Sequence, residues 1–175
     1  MNNHFIGIDT GINGACVAID QFGSLIGSRD LPHIKAVPCY RLKKTRSVLD
    51  IKALKKWLQC FDIERIVVEE SASYHMGNVS AYTSGFNNGR LHAICLDVVG
   101  ESRFTPIPPK LWQKDLFGDI IKDTNWTKEE SIRQAKKAHG ELILFEKPIR
   151  TADGYADSCH IAEWGRINNN KINEK

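Results

Sequence analysis

The sequence predicts one α/β domain around a mixed β-sheet, in which a three-stranded antiparallel meander continues into parallel strands and is flanked by helices. Two observations predict this fold class. Three short apolar segments near the N-terminus are separated by glycine-containing turns. Further along the chain, segments with helical periodicity alternate with two more apolar strands. The 175 residues, 42% hydrophobic and 26% charged, suit one globular domain.

The meander consists of the first three apolar segments. Its predicted strands are residues 5–9, 15–20 and 25–31, joined by turns at residues 10–14 and 21–24. Both turns contain glycine, which tolerates positive φ. Short turns of this kind join neighbouring antiparallel strands.

Helices and strands alternate after the meander. Residues 32–46 are basic, contain two prolines and are predicted to form a mobile loop. The following predicted elements are a helix at 48–61, a strand at 65–69, a long helix at 79–99, a strand at 104–107, and helices at 108–117, 127–139 and 155–166. The helix at 127–139 is predicted to start at a capping box, TKEE at residues 127–130. We expect one domain over residues 1–167 and a frayed polar tail over residues 168–175.

The cysteines and the N-terminus indicate a cytoplasmic protein. The five cysteines are odd in number and widely spaced, without a CxxC pair, which is typical of reduced thiols. The N-terminus has no basic leader, and no apolar run approaches the roughly 20 residues that span a bilayer. We therefore expect a cytoplasmic location and no membrane partner.

Basic residues are concentrated in one part of the chain. The net charge is only +3, but residues 35–56 contain eight lysines and arginines against a single acid, Asp50. Such a density of positive charge attracts phosphate backbones, although a solvated loop and helix face have the same composition. The candidate phosphate contacts are Lys43, Lys44 and Arg46, together with Lys110 and Lys114 one turn apart on a predicted helix.

Four carboxylates are candidates for the reacting centre. Asp9 and Glu69 each end an apolar strand, and Glu70, next to Glu69, must point to the opposite face. Asp153 and Asp157 are four residues apart, which places them on one side of a helix. Taken singly, each motif is also explained by a turn, a solvated strand end or a helix cap.

The four carboxylates together indicate metal binding. Two like charges 4 Å apart repel by about 4 kcal/mol at an effective dielectric of 20, so such a cluster persists when cations neutralise it. Carboxylate oxygens favour Mg²⁺ or Mn²⁺. Two such ions about 4 Å apart can hold the attacking and leaving oxygens of a phosphodiester.

Several motifs resemble those of RuvC-type Holliday-junction resolvases, which belong to the ribonuclease-H-like superfamily. The segment GIDTGINGA at residues 7–15 resembles their opening motif, and VVE at 67–69 resembles their second acidic strand. Residues 78–98 resemble their long central helix, and TPIPPK at 105–110 resembles the strand and basic helix that follow. DGYADS at 153–158 resembles their closing acidic motif. The resemblance extends over nearly the whole chain and is nearest to the phage and prophage branch.

This resemblance implies a crossover junction endodeoxyribonuclease. It implies a homodimer whose subunits each nick one strand of a four-way DNA junction, giving paired symmetric cuts. Two Mg²⁺ ions, replaceable by Mn²⁺, would be held in each active site by Asp9, Glu69, Asp153 and Asp157. If the gene is carried by a phage, the protein would act in the bacterial host cytoplasm.

The sequence departs from the family pattern at two places. Its closing acids are spaced by four residues where some relatives use three, and position 154 is glycine, so Asp153 must be the first ligand of the pair. Ala72 stands where bacterial members tend to carry an aromatic wedge, and Tyr74 is the nearest substitute for that DNA contact.

Other functional classes remain open at this point. A general branched-DNA nuclease or a ribonuclease can be built on the same fold. An actin-like or sugar-kinase-like ATPase opens with a similar phosphate loop, but it needs two such domains and about twice this length. A non-catalytic nucleic-acid-binding module is disfavoured, because four carboxylates without metal repel phosphate.

Overall fold

The computed structural model describes residues 3–11, 13–35, 47–70, 77–118, 124–139 and 149–174. The predicted DNA contacts Lys43, Lys44, Arg46 and Tyr74 lie outside these residues, as does Ala72. The strands are β1 (His4–Ile8), β2 (Ala15–Ile19), β3 (Leu25–Asp30), β4 (His33–Lys35), β5 (Ser47–Leu49), β6 (Ile63–Glu69) and β7 (Phe104–Ile107). The helices are α1 (Ile51–Leu58), α2 (Asn78–Val99), α3 (Pro109–Phe117), α4 (Thr124–His139) and α5 (Ile149–Asn173).

Five strands form the central sheet in the order β3-β2-β1-β6-β7. The first three strands pair antiparallel, whereas β6 pairs parallel with both β1 and β7. The predicted fold class, a meander joined to parallel strands, is therefore confirmed.

Helices cover both faces of the sheet. On one face, α1 and α2 bury apolar side chains against β1 and β6, with Leu54, Leu58 and Leu91 packed near Ile6 and Ile66. On the other face, α4 and α5 bury Ala135, Tyr155 and Ala156 against Phe5 and Val17. Because successive strand residues point to opposite faces, Phe5 and Ile6 contribute to different cores.

Two glycines bring α5 into backbone contact with the sheet. A Cβ at Gly7 would lie 2.1 Å from the carbonyl oxygen of Ser158 and 2.4 Å from the nitrogen of Ala162. A Cβ at Gly165 would lie 2.6 Å from a methyl carbon of Val67. The helix thus sits closer to β1 and β6 than any residue with a side chain would permit.

Several predicted boundaries are wrong. The helix expected at 48–61 begins at Ile51, because the Asp50 carboxylate accepts hydrogen bonds from the first-turn N–H groups, and residues 47–49 form β5 instead. Part of the predicted mobile loop, His33–Lys35, pairs with β5 as a two-stranded sheet. Helix α4 begins at Thr124, so the predicted capping box lies inside the helix rather than at its start.

The C-terminal residues are more ordered than predicted. Helix α5 continues to Asn173, so the frayed tail is wrong up to that residue. The reason is Arg65, which is buried in β6 and donates hydrogen bonds to Asn169, Asn173 and Thr105. A buried guanidinium requires such partners, and it finds them on the last turns of α5.

Two further features bear on the sequence-based expectations. Within the described residues, no helix is both long and apolar enough to span a bilayer. The cysteines in those residues carry free thiols: Cys16, Cys95 and Cys159 are buried, whereas Cys60 is exposed.

Candidate active site

Neighbouring parallel strands bring Asp9 and Glu69 together. Asp9 follows β1, and Glu69 is the last residue of β6. The strands are paired with Ile8 opposite Val68, so the two acids leave the sheet at the same edge. Glu70 is exposed, as expected for the next residue along the chain.

Helix α5 adds Asp153 and Asp157 to this edge. A single hydroxyl fixes the helix there: Ser158 Oγ accepts a hydrogen bond from the Asp9 amide at 3.1 Å. The same hydroxyl lies 2.7 Å from the carbonyl oxygen of Gly154 and 2.8 Å from that of Ala15, to either of which it can donate. Ser158 therefore joins the acidic turn after β1, the start of β2 and the acidic helix.

The glycine between the two helical acids has a packing role. A Cβ at Gly154 would lie 2.4 Å from the carbonyl oxygen of Asn13 and 3.0 Å from Asp9 Oδ2. The turn after β1 occupies that space, so only glycine permits this approach. The acids lie inside α5, which begins at Ile149, and not at the start of a helix as predicted.

Burial and mutual repulsion shift the acidity of three of these carboxyl groups. Burial, followed by the charge of Asp153, raises the pKa of Asp9 to about 6, against a hydrogen bond from Gly11 that lowers it. Burial and then the charge of Asp9 raise the pKa of Glu69 to about 7. The pKa of Asp157 is raised well above its usual range, chiefly by burial. Such pKa shifts cluster at functional sites.

Each of the four carboxylates has one oxygen occupied by a donor from the protein. The four donor and acceptor pairs are Gly11 N to Asp9 Oδ1 (2.9 Å), Trp112 Nε1 to Glu69 Oε2 (2.9 Å), Lys128 Nζ to Asp153 Oδ2 (2.5 Å) and Ser131 Oγ to Asp157 Oδ1 (2.6 Å). Among the described residues, no donor reaches the second oxygen of any of the four. The cluster thus presents four carboxylate oxygens, one from each acid.

Sequence analysis did not identify three of these donors as part of the site. Lys128 was assigned to a helix cap, but it lies within α4 and pairs with Asp153. Trp112 is fully buried in the core, and its indole N–H also contacts Glu69. Ser131 follows the predicted capping box directly and carried no separate signal.

His160 lies one turn after Asp157 on α5 and is buried. Its Nε2 lies 2.9 Å from the carbonyl oxygen of Ser131, which can only accept, so Nε2 carries a proton. Its ring stacks on Trp112, with centroids 6.2 Å apart. His160 therefore touches two of the residues that hold the carboxylates.

Comparisons with known proteins identify the fold. No family model and no curated protein matches the chain. Among solved structures, Thermus thermophilus RuvC in complex with a Holliday junction substrate is similar over 97% of this chain and 96% of its own, with a TM-score of 0.60 and 16% identity. A second T. thermophilus RuvC structure is similar over 96% of this chain and 97% of its own, with a TM-score of 0.54 and 18% identity. The chain has the RuvC fold.

On this RuvC fold, the remaining predicted DNA contacts lie on α3. Lys110 and Lys114 are both exposed, one turn apart, on the helix that also supplies Trp112. Their side chains are therefore free to approach a ligand beside the acidic edge. The contacts predicted at Lys43, Lys44, Arg46 and Tyr74 stay predictions, because those residues lie outside the described chain.

The acids of this RuvC-like site fit divalent cations by their donor chemistry. In the described part of the chain, no three His, Cys, Asp or Glu side chains are arranged to enclose a metal ion, and Lys128 pairs with Asp153. Asp153 Oδ1, however, is buried without a hydrogen-bond partner. A buried, unpaired carboxylate oxygen is costly unless a cation reaches it. The oxygen-only donor set suits Mg²⁺ or Mn²⁺.

Proposed function

We propose that this chain is a divalent-metal-dependent DNA endonuclease that resolves four-way junctions by paired symmetric nicks. The observation that carries the proposal is the convergence of four acids from β1, β6 and α5 at one edge of a RuvC-like fold. Each acid has one oxygen held by the protein and one that no donor of the described residues reaches. A solved structure of the same fold is that of T. thermophilus RuvC in complex with a Holliday junction substrate.

The four carboxylates would hold two Mg²⁺ ions, for which Mn²⁺ can substitute. Asp9 and Glu69 come from rigid strand ends, and Asp153 and Asp157 from a helix in backbone contact with the sheet. Bound ions would supply charge stabilisation at the scissile phosphate and its leaving oxygen. The protein itself fixes the carboxylates, so that little rearrangement is needed at the moment of reaction.

Basic residues would hold the DNA backbone. Lys110 and Lys114 are exposed on α3, and Lys43, Lys44 and Arg46 belong to the most basic part of the sequence. Contacts to phosphate position the substrate but do not read its sequence. Tyr74 is proposed to contact the junction where other family members use an aromatic wedge.

The proposal includes a homodimer formed through α2. Gly85 and Gly89 have no atoms within 4 Å of where a Cβ would be, so this part of the helix is open. Tyr82 and Phe86 lie on the same helix and are 59% and 43% exposed. Small residues beside exposed aromatic rings permit a second helix to approach closely. Two copies would place two sites on a junction with near two-fold symmetry.

The direct test uses labelled DNA of defined shape. We expect the protein with Mg²⁺ to nick a four-way junction at symmetric positions and to bind it more tightly than linear duplex of the same length. Binding should weaken as salt increases, because phosphate contacts release counterions. The matched control is the Asp9→Asn variant, which retains the fold and the basic surface.

Other outcomes separate the alternatives. Equal cutting of junction, flap and duplex indicates a general nuclease on the same fold. Cutting of RNA but not DNA indicates a ribonuclease. Hydrolysis of ATP without any nicking supports the kinase-like alternative, and absence of all these activities contradicts the proposal.

A further inference from the structure

Two neutral side chains behind the acidic cluster each occupy one carboxylate oxygen. We propose that Trp112 and Ser131 are positioning residues, which hold one oxygen of Glu69 and Asp157 and leave the other to bind the cation. Each of these two acids would then be a one-oxygen ligand. The inference rests on the proposed function, since it concerns the metals of that same site.

Trp112 can hold Glu69 but cannot replace it as a ligand. The indole is fully buried on α3, and its Nε1 lies 2.9 Å from Glu69 Oε2. An indole N–H is only a donor, so it does not compete for a cation. Leaving this buried N–H unpaired is unfavourable, which opposes rotation of Glu69 away from it.

Ser131 has the same relationship to Asp157. It is 1% exposed on α4, and its Oγ lies 2.6 Å from Asp157 Oδ1. Because a carboxylate only accepts, the hydroxyl must donate its proton in this contact. Helix α4 thereby fixes the orientation of an acid on α5.

His160 contacts both Ser131 and Trp112, the two residues that donate to the acids. Its Nε2 donates a hydrogen bond to the carbonyl oxygen of Ser131, and its ring stacks on Trp112. The ring of Phe117 packs edge-on against the rings of Trp112 and His160. This buried group joins α3, α4 and α5 behind the cluster. Movement of one donor is therefore resisted by the packing of the other.

Neutral donors can orient a metal-binding carboxylate without adding a positive charge beside it, which charged donors cannot. Lys128 pairs with Asp153 through its ammonium group, on a side chain that is 61% exposed, and it cancels part of the charge that would attract a metal. Trp112 and Ser131 orient their carboxylates and leave the full negative charge in place. Partners of this kind commonly change metal affinity by about 10- to 100-fold when removed.

The test compares two tryptophan variants. Trp112→Phe keeps an aromatic ring but removes the N–H from Glu69. Trp164→Phe is the matched control, because Trp164 belongs to the same apolar cluster and donates its own N–H to Asp115 at 2.7 Å, outside the acidic cluster. The readout is the Mn²⁺ concentration that gives half of the metal-induced rise in melting temperature, measured without DNA. We expect Trp112→Phe to raise it at least about 10-fold, and Trp164→Phe to leave it unchanged.

A second variant covers the case in which Trp112→Phe folds poorly in EDTA. Ser131→Ala removes only one oxygen and should raise the same Mn²⁺ concentration. If both variants need the same Mn²⁺ concentration as wild type, the inference is overturned and the metal site is not. The inference is also overturned if Trp164→Phe raises that concentration as much as Trp112→Phe does. A wild-type protein whose melting temperature does not respond to Mn²⁺ overturns the metal site and the inference together.

Discussion

Lys128 Nζ lies 2.5 Å from Asp153 Oδ2, so the acidic cluster has a positive charge of its own. The hydrogen bond that Lys128 donates to Asp153, together with the charges of Asp153, Asp157 and Asp9, raises the pKa of the Lys128 ammonium group. A cation that binds Asp153 must compete with this ammonium group. The lysine side chain is 61% exposed, which gives it room to leave.

Replacing Lys128 should therefore strengthen the response to metal. Lys128→Gln removes the positive charge that offsets part of the repulsion between the carboxylates. The melting temperature in EDTA at about pH 8 should therefore fall. The free energy of unfolding should fall by about 1 kcal/mol or less, because the lysine side chain is largely exposed to solvent. The Mg²⁺-induced rise in melting temperature should then be larger than in wild type.

Lys55→Gln is the matched control for that variant. Lys55 pairs with Asp97 at 2.6 Å, on helices away from the acidic edge. Its loss should leave the size of the Mg²⁺ response unchanged. Equal Mg²⁺ responses in Lys128→Gln and wild type would show that the lysine does not compete with metal.

Neighbouring glutamates provide a sharp test of the catalytic assignment. Glu69→Gln should lower junction cleavage by about 10³-fold or more, because a charged ligand is lost at a cost of several kcal/mol to the transition state. Glu70→Gln should cleave at close to the wild-type rate, since Glu70 is exposed beyond the end of β6. Single-turnover cleavage at saturating Mg²⁺ measures both. Retained nicking in Glu69→Gln would remove that residue from the site.

The glycine contact between β1 and α5 predicts a steep effect on folding. Gly7→Ala places a methyl group 2.1 Å from the carbonyl oxygen of Ser158, so α5 must shift. The free energy of unfolding should fall by about 1–3 kcal/mol or more, and the Mg²⁺ response should fall with it. Gly89→Ala, on an open part of α2, should raise the free energy of unfolding by about 1 kcal/mol. Denaturant titration distinguishes the two, and equal stabilities would contradict the contact.

The raised pKa values of Asp9 and Glu69, about 6 and about 7, predict how stability depends on pH without metal. Carboxyl groups with a higher pKa in the folded state bind protons more tightly there, so their contribution is present below about pH 4 and is lost as the pH rises through both values. In EDTA, the free energy of unfolding should therefore decrease between about pH 5 and 8, by roughly 3 kcal/mol. Saturating Mg²⁺ should remove most of this decrease, because cations favour ionised carboxylates. Denaturant titrations at several pH values measure this free energy of unfolding. An increase with pH in EDTA would contradict the burial of these acids.

The open part of α2 makes the proposed dimer testable. Gly85→Arg should shift the sedimentation of the protein from dimer to monomer, and paired nicking should fall more than single nicking. Gln59→Arg is the control, since it adds the same charge at an exposed position after α1. A wild-type monomer that makes two coordinated cuts would contradict the dimer.

Local sequence patterns were sufficient to predict the acids on the strands. Asp9 and Glu69 each follow a run of apolar residues that predicts a buried strand. Parallel pairing of the two strands places their carboxyl ends at one edge of the sheet. The four-residue spacing of Asp153 and Asp157 was sufficient to predict that both acids lie on one side of a helix. The order of helices and strands was predictable for the same reason, because periodicity is a local property.

The supporting contacts were not predictable because they join distant segments. The pattern TKEE at residues 127–130 matches a helix cap, yet the helix begins earlier and Lys128 faces an acid on α5. The polar end of α5 looks frayed until Arg65 of β6 is seen bound to it. No local pattern signals which tryptophan donates to a carboxylate.

The hydrogen bond between Asp9 and Ser158 joins residues 149 positions apart in the sequence. Contacts at such a separation form slowly, since a long loop must close before they can be made. The N-terminal hairpins β1–β2 and β2–β3 pair residues that are close in sequence, so they can form first. We therefore expect the acidic edge to be among the last parts of the molecule to appear during folding. A partly folded chain would have the sheet but no complete set of carboxylates, and under the proposed function it would cut no DNA.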